Sequence, residues 1–490
     1  MKAASFPKDF SLNRLTSFSF FESDQKVLRE TIPSGMDASQ HLSNPHSVKT
    51  DLLPWMISLA ILVTASFTSG SNLPAIVLGI AEMMFFGYNC LQASVLETPM
   101  EPEPVARDLD ELWDMILSSS HCTRQFLSGW FYDSKFESIT VEDVHSFLTW
   151  ATFSTTYEVL DEDKKCSIHR IFVKIQEQLN YEFPTRLPSQ QPLPCMRFTI
   201  EPLLYKHKPI VFYLVCQWLL GAAAGFQLRK EGFAKHVDGE ISYWIRLPEC
   251  EESRKKKPIV FVHGVGVGLI TYLSFLKELM VNDCPMILIE LPHISCTISP
   301  VVPSIDDHLY GIERIFQRWE LQDAFWVGHS YGSVVLSWMV QHLPERVAGI
   351  GLIDPVVMML NLKDVLYNFL YKKTQDNDRR KLGNKLGDLI GSELYLNNAL
   401  RRNFWWYRNI LWAQDLQKQN IPSLVCLSEH DEIVPSHAVH RHIEQHASRL
   451  GQHNCVRSYT MRNANHGQML FDRDISRDLA SRLSSVWREL

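Results

Sequence analysis

From Phe233 onwards, short apolar runs alternate with longer stretches in which apolar residues recur at helical spacing. Phe233–Val237 and Ile241–Arg246 flank Asp238-Gly239, a strong two-residue hairpin signal, and so predict an antiparallel pair. Pro258–Val262, Pro285–Glu290, Ala324–Val327, Ala348–Ile353, Ile421–Ser428 and Val456–Thr460 are apolar runs of strand length. Strands of that kind, separated by helical stretches, predict a mostly parallel sheet with helices on both faces, an α/β fold. Between the sixth strand and the seventh, roughly residues 356–420 form an insertion expected to be a helical cap. It carries two aromatic clusters, Tyr367–Tyr371 and Phe404–Tyr407, around a charged stretch, Asp376–Lys385. The aromatic residues could line a pocket for an apolar group, or bury the cap against the body.

The first 230 residues are patterned differently. Residues 1–50 are polar and serine-bearing and predict a disordered or weakly ordered N-terminus; they lack the basic start and immediate apolar run of a secretory signal. Leu52–Phe67 and Leu73–Tyr88 are apolar runs separated by Thr68–Asn72, and predict a hydrophobic hairpin over residues 51–92. Each is about sixteen residues, short of the roughly twenty that span a bilayer. The first is uncharged, and its strongly apolar residues sum to about −4 kcal/mol for insertion. The second contains Glu82, which would offset most of such a gain. Residues 93–228 predict a helical accessory region. In it Leu112, Trp113, Ile116 and Leu117 share a helical face, and Pro209–Phe226 is a third uncharged apolar run. That run could be a membrane segment or a helix packed on the C-terminal half. Nothing in the region signals chemistry; scaffold, lid or partner surface are the roles open to it.

Candidate chemistry lies in the C-terminal half. Gly328-His329-Ser330-Tyr331-Gly332 follows an apolar strand and precedes a stretch that can wind as a helix. The G-x-S-x-G pattern alone is common; in strand–turn–helix context it predicts a nucleophile elbow with Ser330 at its tip. A serine hydroxyl needs a base held by a third group. Such elbows take the acid and then the histidine later in the chain. Asp431 follows the predicted strand Ile421–Ser428, and His466 lies in the loop after the last strand. Asp354, at the end of Ala348–Ile353, is the competing acid. After Pro258–Val262 comes His263-Gly264-Val265-Gly266-Val267-Gly268, where glycine allows close backbone approach. The backbone N–H groups of Val265 and Tyr331 are the expected oxyanion donors. His263 and His329 are expected to be packing or supporting residues. The cluster His430, His437, His440, His442 and His446 matches no standard zinc spacing and is expected on a solvated helix face, so no metal is expected.

Taken together, His263-Gly264 after a strand, the Ser330 elbow, Asp431 before Ile433-Val434-Pro435, and His466-Gly467 resemble the serine branch of the α/β-hydrolase fold superfamily, over residues 229–490. The resemblance implies a serine esterase or lipase without cofactor. Ser330 would form an acyl-enzyme, His466 would shuttle the proton, and Asp431 would orient the imidazole. Acyl transfer on the same triad is the alternative within enzymes, and a silent binding or scaffold member is the alternative outside them. The implied substrate is an apolar small molecule or lipid.

Composition narrows the picture in two respects. A net charge of −7 with dispersed basic residues gives no nucleic-acid footprint. The ten cysteines include no C-x-x-C pair, as expected of free thiols in a reducing compartment. With the apolar runs, this implies an intracellular, membrane-associated protein whose catalytic part is cytosolic. The sequence does not fix an oligomeric state.

Overall fold

The computed structural model describes residues 49–50, 58, 64, 72–120, 122–372 and 389–490. The expectations for residues 1–48, for the run Leu52–Phe67 apart from Ser58 and Thr64, and for Asp376–Lys385 lie outside these.

Eight strands form one sheet: β1 (Ala234–Asp238), β2 (Ile241–Arg246), β3 (Ile259–Val262), β4 (Met286–Glu290), β5 (Ala324–His329), β6 (Val347–Ile353), β7 (Ser423–Ser428) and β8 (Val456–Met461). Their order across the sheet is β8-β7-β6-β5-β3-β4-β2-β1. β1 and β2 form the expected hairpin, with Gly239 at φ +60°, and β2 runs antiparallel to β4. The remaining pairs are parallel. The central strands are apolar on both faces because both faces are covered. In β3, Val260 and Val262 enter one core while Ile259 and Phe261 enter the other; in β5, Ala324 and Trp326 face the first and Phe325 and Val327 the second.

Among the described residues, the helices of seven residues or more are α1 (Leu73–Leu96), α2 (Leu109–Ser119), α3 (Thr123–Trp130), α4 (Val141–Phe153), α5 (Glu162–Leu179), α6 (Ile210–Lys230), α7 (Leu273–Leu279), α8 (Ile305–Arg318), α9 (Gly332–His342), α10 (Leu394–Arg402), α11 (Ser436–Leu450) and α12 (Arg473–Arg488). Residues Leu214–Leu220 of α6 form a π-helical segment.

The N-terminal region is not a separate body. Leu112, Trp113, Ile116 and Leu117 of α2 are buried in the same continuous cluster as one face of the sheet and the cap. Polar bonds fix that packing. Arg107 grips Asp415 with two bonds of 2.8 and 2.7 Å, Trp406 Nε1–H donates to the Ala151 carbonyl, and Trp130 Nε1–H to that of Asn361. Lys49–Thr50 pair in parallel with Lys206–His207, so the expected weakly ordered N-terminus ends in a short strand contact.

Three further expectations need correction. The second apolar run continues past Tyr88 to Leu96, giving a helix of 24 residues rather than sixteen; the expected boundary at residue 92 falls inside it. At about 1.5 Å per residue it is long enough to cross a bilayer. Glu82 is not stranded on it. Its carboxylate accepts the Ile210 N–H at 2.9 Å and lies 3.4 Å from His207 Nε2, so it is partnered within the protein rather than carried bare on the exposed side. α6, 21 residues long, also has the length and composition to cross a membrane, and it is neither wholly buried nor free: Cys216 and Tyr213 pack inward while Trp218 and Leu219 face out. Among the histidines near Asp431, His430, His437 and His440 are exposed as expected, but His442 and His446 turn inward from α11, His442 against Trp412.

Candidate active site

The elbow is built from steric necessity. β5 ends at His329, and Ser330 sits in the left-handed region at φ +51°. That conformation costs a non-glycine residue about 1–3 kcal/mol and persists only where its surroundings impose it. Here the Ser330 N–H donates to the Ile353 carbonyl at 2.9 Å, and α9 starts at Gly332. A side chain at Gly332 would place its Cβ 2.2 Å from the Val262 carbonyl oxygen, and one at Gly328 would meet Leu336 at 2.8 Å. Both glycines of the motif are therefore demanded by space. Gly332→Ala is expected to destabilise the fold by several kcal/mol, because the obstacle is backbone of the central strand β3. Thermal denaturation followed by circular dichroism checks this; an unchanged melting temperature would contradict it.

Ser330, His466 and Asp431 come together. Ser330 Oγ–H donates to His466 Nε2 at 2.9 Å, and His466 Nδ1–H donates to Asp431 Oδ2 at 2.8 Å. Asp431 Oδ1 accepts the N–H groups of Ile433 and Val434, each at 2.8 Å, so its carboxylate is held by the turn after β7. The Asp431 side chain is wholly buried and that of His466 nearly so.

Asp354 occupies a different place. It ends β6 at φ +44° and is completely buried. Its oxygens accept from Ser428 N–H (2.8 Å), Ser428 Oγ–H (3.0 Å) and Gly467 N–H (3.0 Å). Asp431, not Asp354, touches the imidazole; Asp354 braces the loop that carries it. Asp354, Asp431 and His466 offer atoms within 4.8 Å of one another, a spacing that could suit a cation, yet each of those groups is already engaged in the hydrogen bonds just given.

Two carboxylates beside one imidazole set its proton affinity. Burial alone would lower the pKa of His466, but Asp431, then Asp354 and Glu432, override it and push it up to about 9. Burial raises Asp354 to about 6, Asp431 adding to the effect while His466 and the Gly467 and Ser428 N–H groups oppose it. A histidine acting as base must be neutral, so kcat/KM is expected to rise with pH towards a midpoint near 9. Asp354→Asn removes one of the charges that raise His466, and is expected to move that midpoint to lower pH. An unmoved midpoint in the kcat/KM pH profile would contradict the coupling.

The donors expected for an oxyanion are also placed. Val265 and Ser330-Tyr331 line the same cavity, and within the chain no hydrogen bond engages the N–H of Val265 or of Tyr331 among the described residues. The loop carrying Val265 is held by groups that sequence reading passed over or left vague. His263 Nδ1–H donates to the Gly264 carbonyl at 2.8 Å, while its Nε2 accepts the Leu291 N–H at 3.0 Å. Tyr272 Oη accepts the Gly264 N–H at 2.9 Å and lies 2.7 Å from His329 Nδ1. Burial, then the neighbouring His466 and His263, hold His329 well below the usual histidine range, so it stays neutral beside the charged pair. No local motif announces Tyr272: its role rests on a fold-back of the chain that only the structure supplies.

Above Ser330 lies an apolar pocket open to solvent on one side, walled by Val356, Val365, Leu366, Phe369, Leu400 and Phe404. Both readings of the cap aromatics therefore hold in part: Phe369 and Phe404 line the cavity, while Trp406 and Tyr407 fasten the cap to the N-terminal region.

A family model described as the α/β hydrolase fold matches residues 257–404, which contain the glycine-rich loop His263–Gly268 and the turn at Ser330. The chain has an α/β-hydrolase fold. Solved structures it resembles include a membrane phospholipase A described as a bacterial virulence factor (17% identity over 57% of this chain and 94% of that one, TM-score 0.42). Others are naproxen esterase from Bacillus subtilis (14%, 54% and 98%, TM-score 0.37) and carboxylesterase CesB from the same organism (12%, 55% and 98%, TM-score 0.36). At these identities the likeness concerns the fold alone. No curated protein matches the sequence. The matched residues 257–404 leave the N-terminal helices outside the family model.

Proposed function

We propose that the chain is a serine hydrolase that cleaves carboxylic esters of apolar or lipid acids through an acyl-enzyme. The observation that carries this reading is the continuous hydrogen-bonded chain Ser330–His466–Asp431 at the floor of an apolar cavity. His466 takes the Ser330 proton as Oγ attacks the carbonyl carbon, and the Val265 and Tyr331 N–H groups receive the negative charge that develops on the carbonyl oxygen. His466, now cationic, is stabilised by Asp431 and returns the proton to the leaving alcohol. Water then enters, gives a proton to His466 and attacks the acyl carbon; as the Oγ–acyl bond breaks and the acid leaves, His466 returns that proton to Ser330 Oγ. The cavity wall selects the acyl part: it offers methyl, methylene and ring surface and no charge.

Turnover of p-nitrophenyl esters of increasing acyl length tests the reading. Each methylene buried in the cavity contributes about 0.8 kcal/mol, so kcat/KM is expected to rise about fourfold per carbon until the space is filled. A burst of nitrophenol matching the enzyme concentration is expected wherever deacylation is slower than acylation. Release no greater than that of Ser330→Ala at every chain length would overturn it.

A further inference from the structure

The helices left over by the hydrolase fold present a surface that needs an occupant. α1 has one acidic residue and no basic one, and that residue, Glu82, is turned inward onto Ile210 and His207. The outward side carries Ile80, Met84 (72% exposed), Leu91 (70%) and Val95. α6, which meets α1 through its first turn, exposes Trp218 (69%), Leu219 and Phe226 and closes on Arg229 and Lys230. An exposed apolar side that is uncharged along a 24-residue helix is larger than water ordinarily tolerates on a monomer. At about 36 Å it is as long as the roughly 30 Å hydrocarbon core of a bilayer is thick, and α6 ends in a basic pair, Arg229 and Lys230.

The inward sides of the same helices do not rest on inert protein. Phe85 of α1 and Tyr213 and Cys216 of α6 pack against Leu394 and Tyr395 at the start of α10, with Val267 of the oxyanion loop beside them. Leu400, further along α10, is part of the wall of the Ser330 cavity. α10 is tied to α1 at both ends. Tyr395 Oη–H donates to Asn89 Oδ1 at 2.9 Å, and the buried Arg402 guanidinium donates to the Leu96 and Glu97 carbonyls at 3.2 and 2.9 Å. The two ties are two helical turns apart on each helix. A third joins α10 to α6, Tyr213 Oη–H donating to Glu393 at 2.6 Å. One helix thus touches the lipid-like face's underside and the acyl cavity.

We propose that the α1–α6 face seats in a lipid bilayer and that the substrate is a long-chain acyl ester resident in that bilayer, with α10 as the link that holds the cavity open to it when the face is seated. This rests on the hydrolase reading for the chemistry, but not for the surface. The face supplies high local substrate concentration, and the ties fix Leu400 relative to the membrane-facing helix.

The test uses the full-length chain with phosphatidylcholine vesicles, with and without p-nitrophenyl palmitate in them, and p-nitrophenyl butyrate in solution. The double substitution Met84→Lys/Leu91→Lys changes two side chains that are each about 70% exposed. It is expected to abolish flotation with the vesicles and to cut turnover of the vesicle-borne ester at least tenfold, leaving butyrate turnover within about twofold. Tyr395→Phe, which removes one hydroxyl, is expected to float normally yet lose several-fold on the vesicle ester alone. Failure of the parent to float, or equal turnover of the vesicle ester by parent and lysine variant, would overturn the proposal. If the parent floats and the lysine variant does not, while no ester of either kind is cleaved, the surface stands and the substrate assignment falls together with the hydrolase reading.

Discussion

Ser330→Ala is expected to lower kcat/KM for a soluble ester by about four to six orders of magnitude while leaving the fold in place. The substitution removes one oxygen, whose single hydrogen bond within the site is to His466. The left-handed backbone at position 330 is equally strained for alanine, and the turn is fixed by the Ser330 N–H on Ile353 and by the two glycines, none of which changes. Melting temperature should move by no more than a few degrees. Steady-state kinetics beside a thermal melt read both parts. Retention of a tenth or more of parental activity with an intact fold would mean that another group forms the acyl-enzyme.

Asp431→Asn is expected to cost about three to four orders of magnitude in kcat. The amide is isosteric, and its oxygen can still accept the Ile433 and Val434 N–H groups. Its NH2 would then face His466 Nδ1 as a donor, holding the imidazole with its proton on Nε2. That nitrogen could no longer accept from Ser330, and the cation formed on proton transfer would lose its counter-charge. Asp354→Asn should lose about tenfold or less, since Asp354 spends its lone pairs on Ser428 and Gly467 and stands off the imidazole. Its expected signature is the shift of the pH midpoint. If the two substitutions were measured side by side and Asp354→Asn proved the more damaging, the roles given to the two acids would be reversed.

These contrasts show what the sequence could and could not convey. Strand positions and the elbow were legible because both are local: apolar runs of strand length bounded by polar turns, and a serine between glycines whose missing side chains leave room for Val262 and Leu336. The order acid-then-histidine was legible for the same reason, each residue lying just past a strand end. Choosing between Asp354 and Asp431 was not a local matter. Both end neighbouring strands, and only the angle of the turn after β7 brings Asp431 onto Nδ1. Tyr272, reaching back to Gly264 and His329, is of the same kind. In the N-terminal half the second apolar run is visible, but its length is not, because polar Asn89 and Gln92 interrupt it. Asn89 is buried against Tyr395, so the helix continues through a position that reads as an ending. Glu82 misled in the same way, because its partner, the Ile210 N–H, lies far along the chain.

The account stands or falls on Ser330 being an activated nucleophile. The most direct measurement is reaction of the full-length protein with a fluorophosphonate, followed by peptide mass spectrometry to locate the adduct. The expected result is one phosphonyl group, on the peptide containing Gly328–Gly332 and at Ser330, formed rapidly in the parent, slowly in Asp431→Asn and not at all in Ser330→Ala. A parent that takes up no label, or takes it up at another residue while Ser330 stays unmodified, would contradict it.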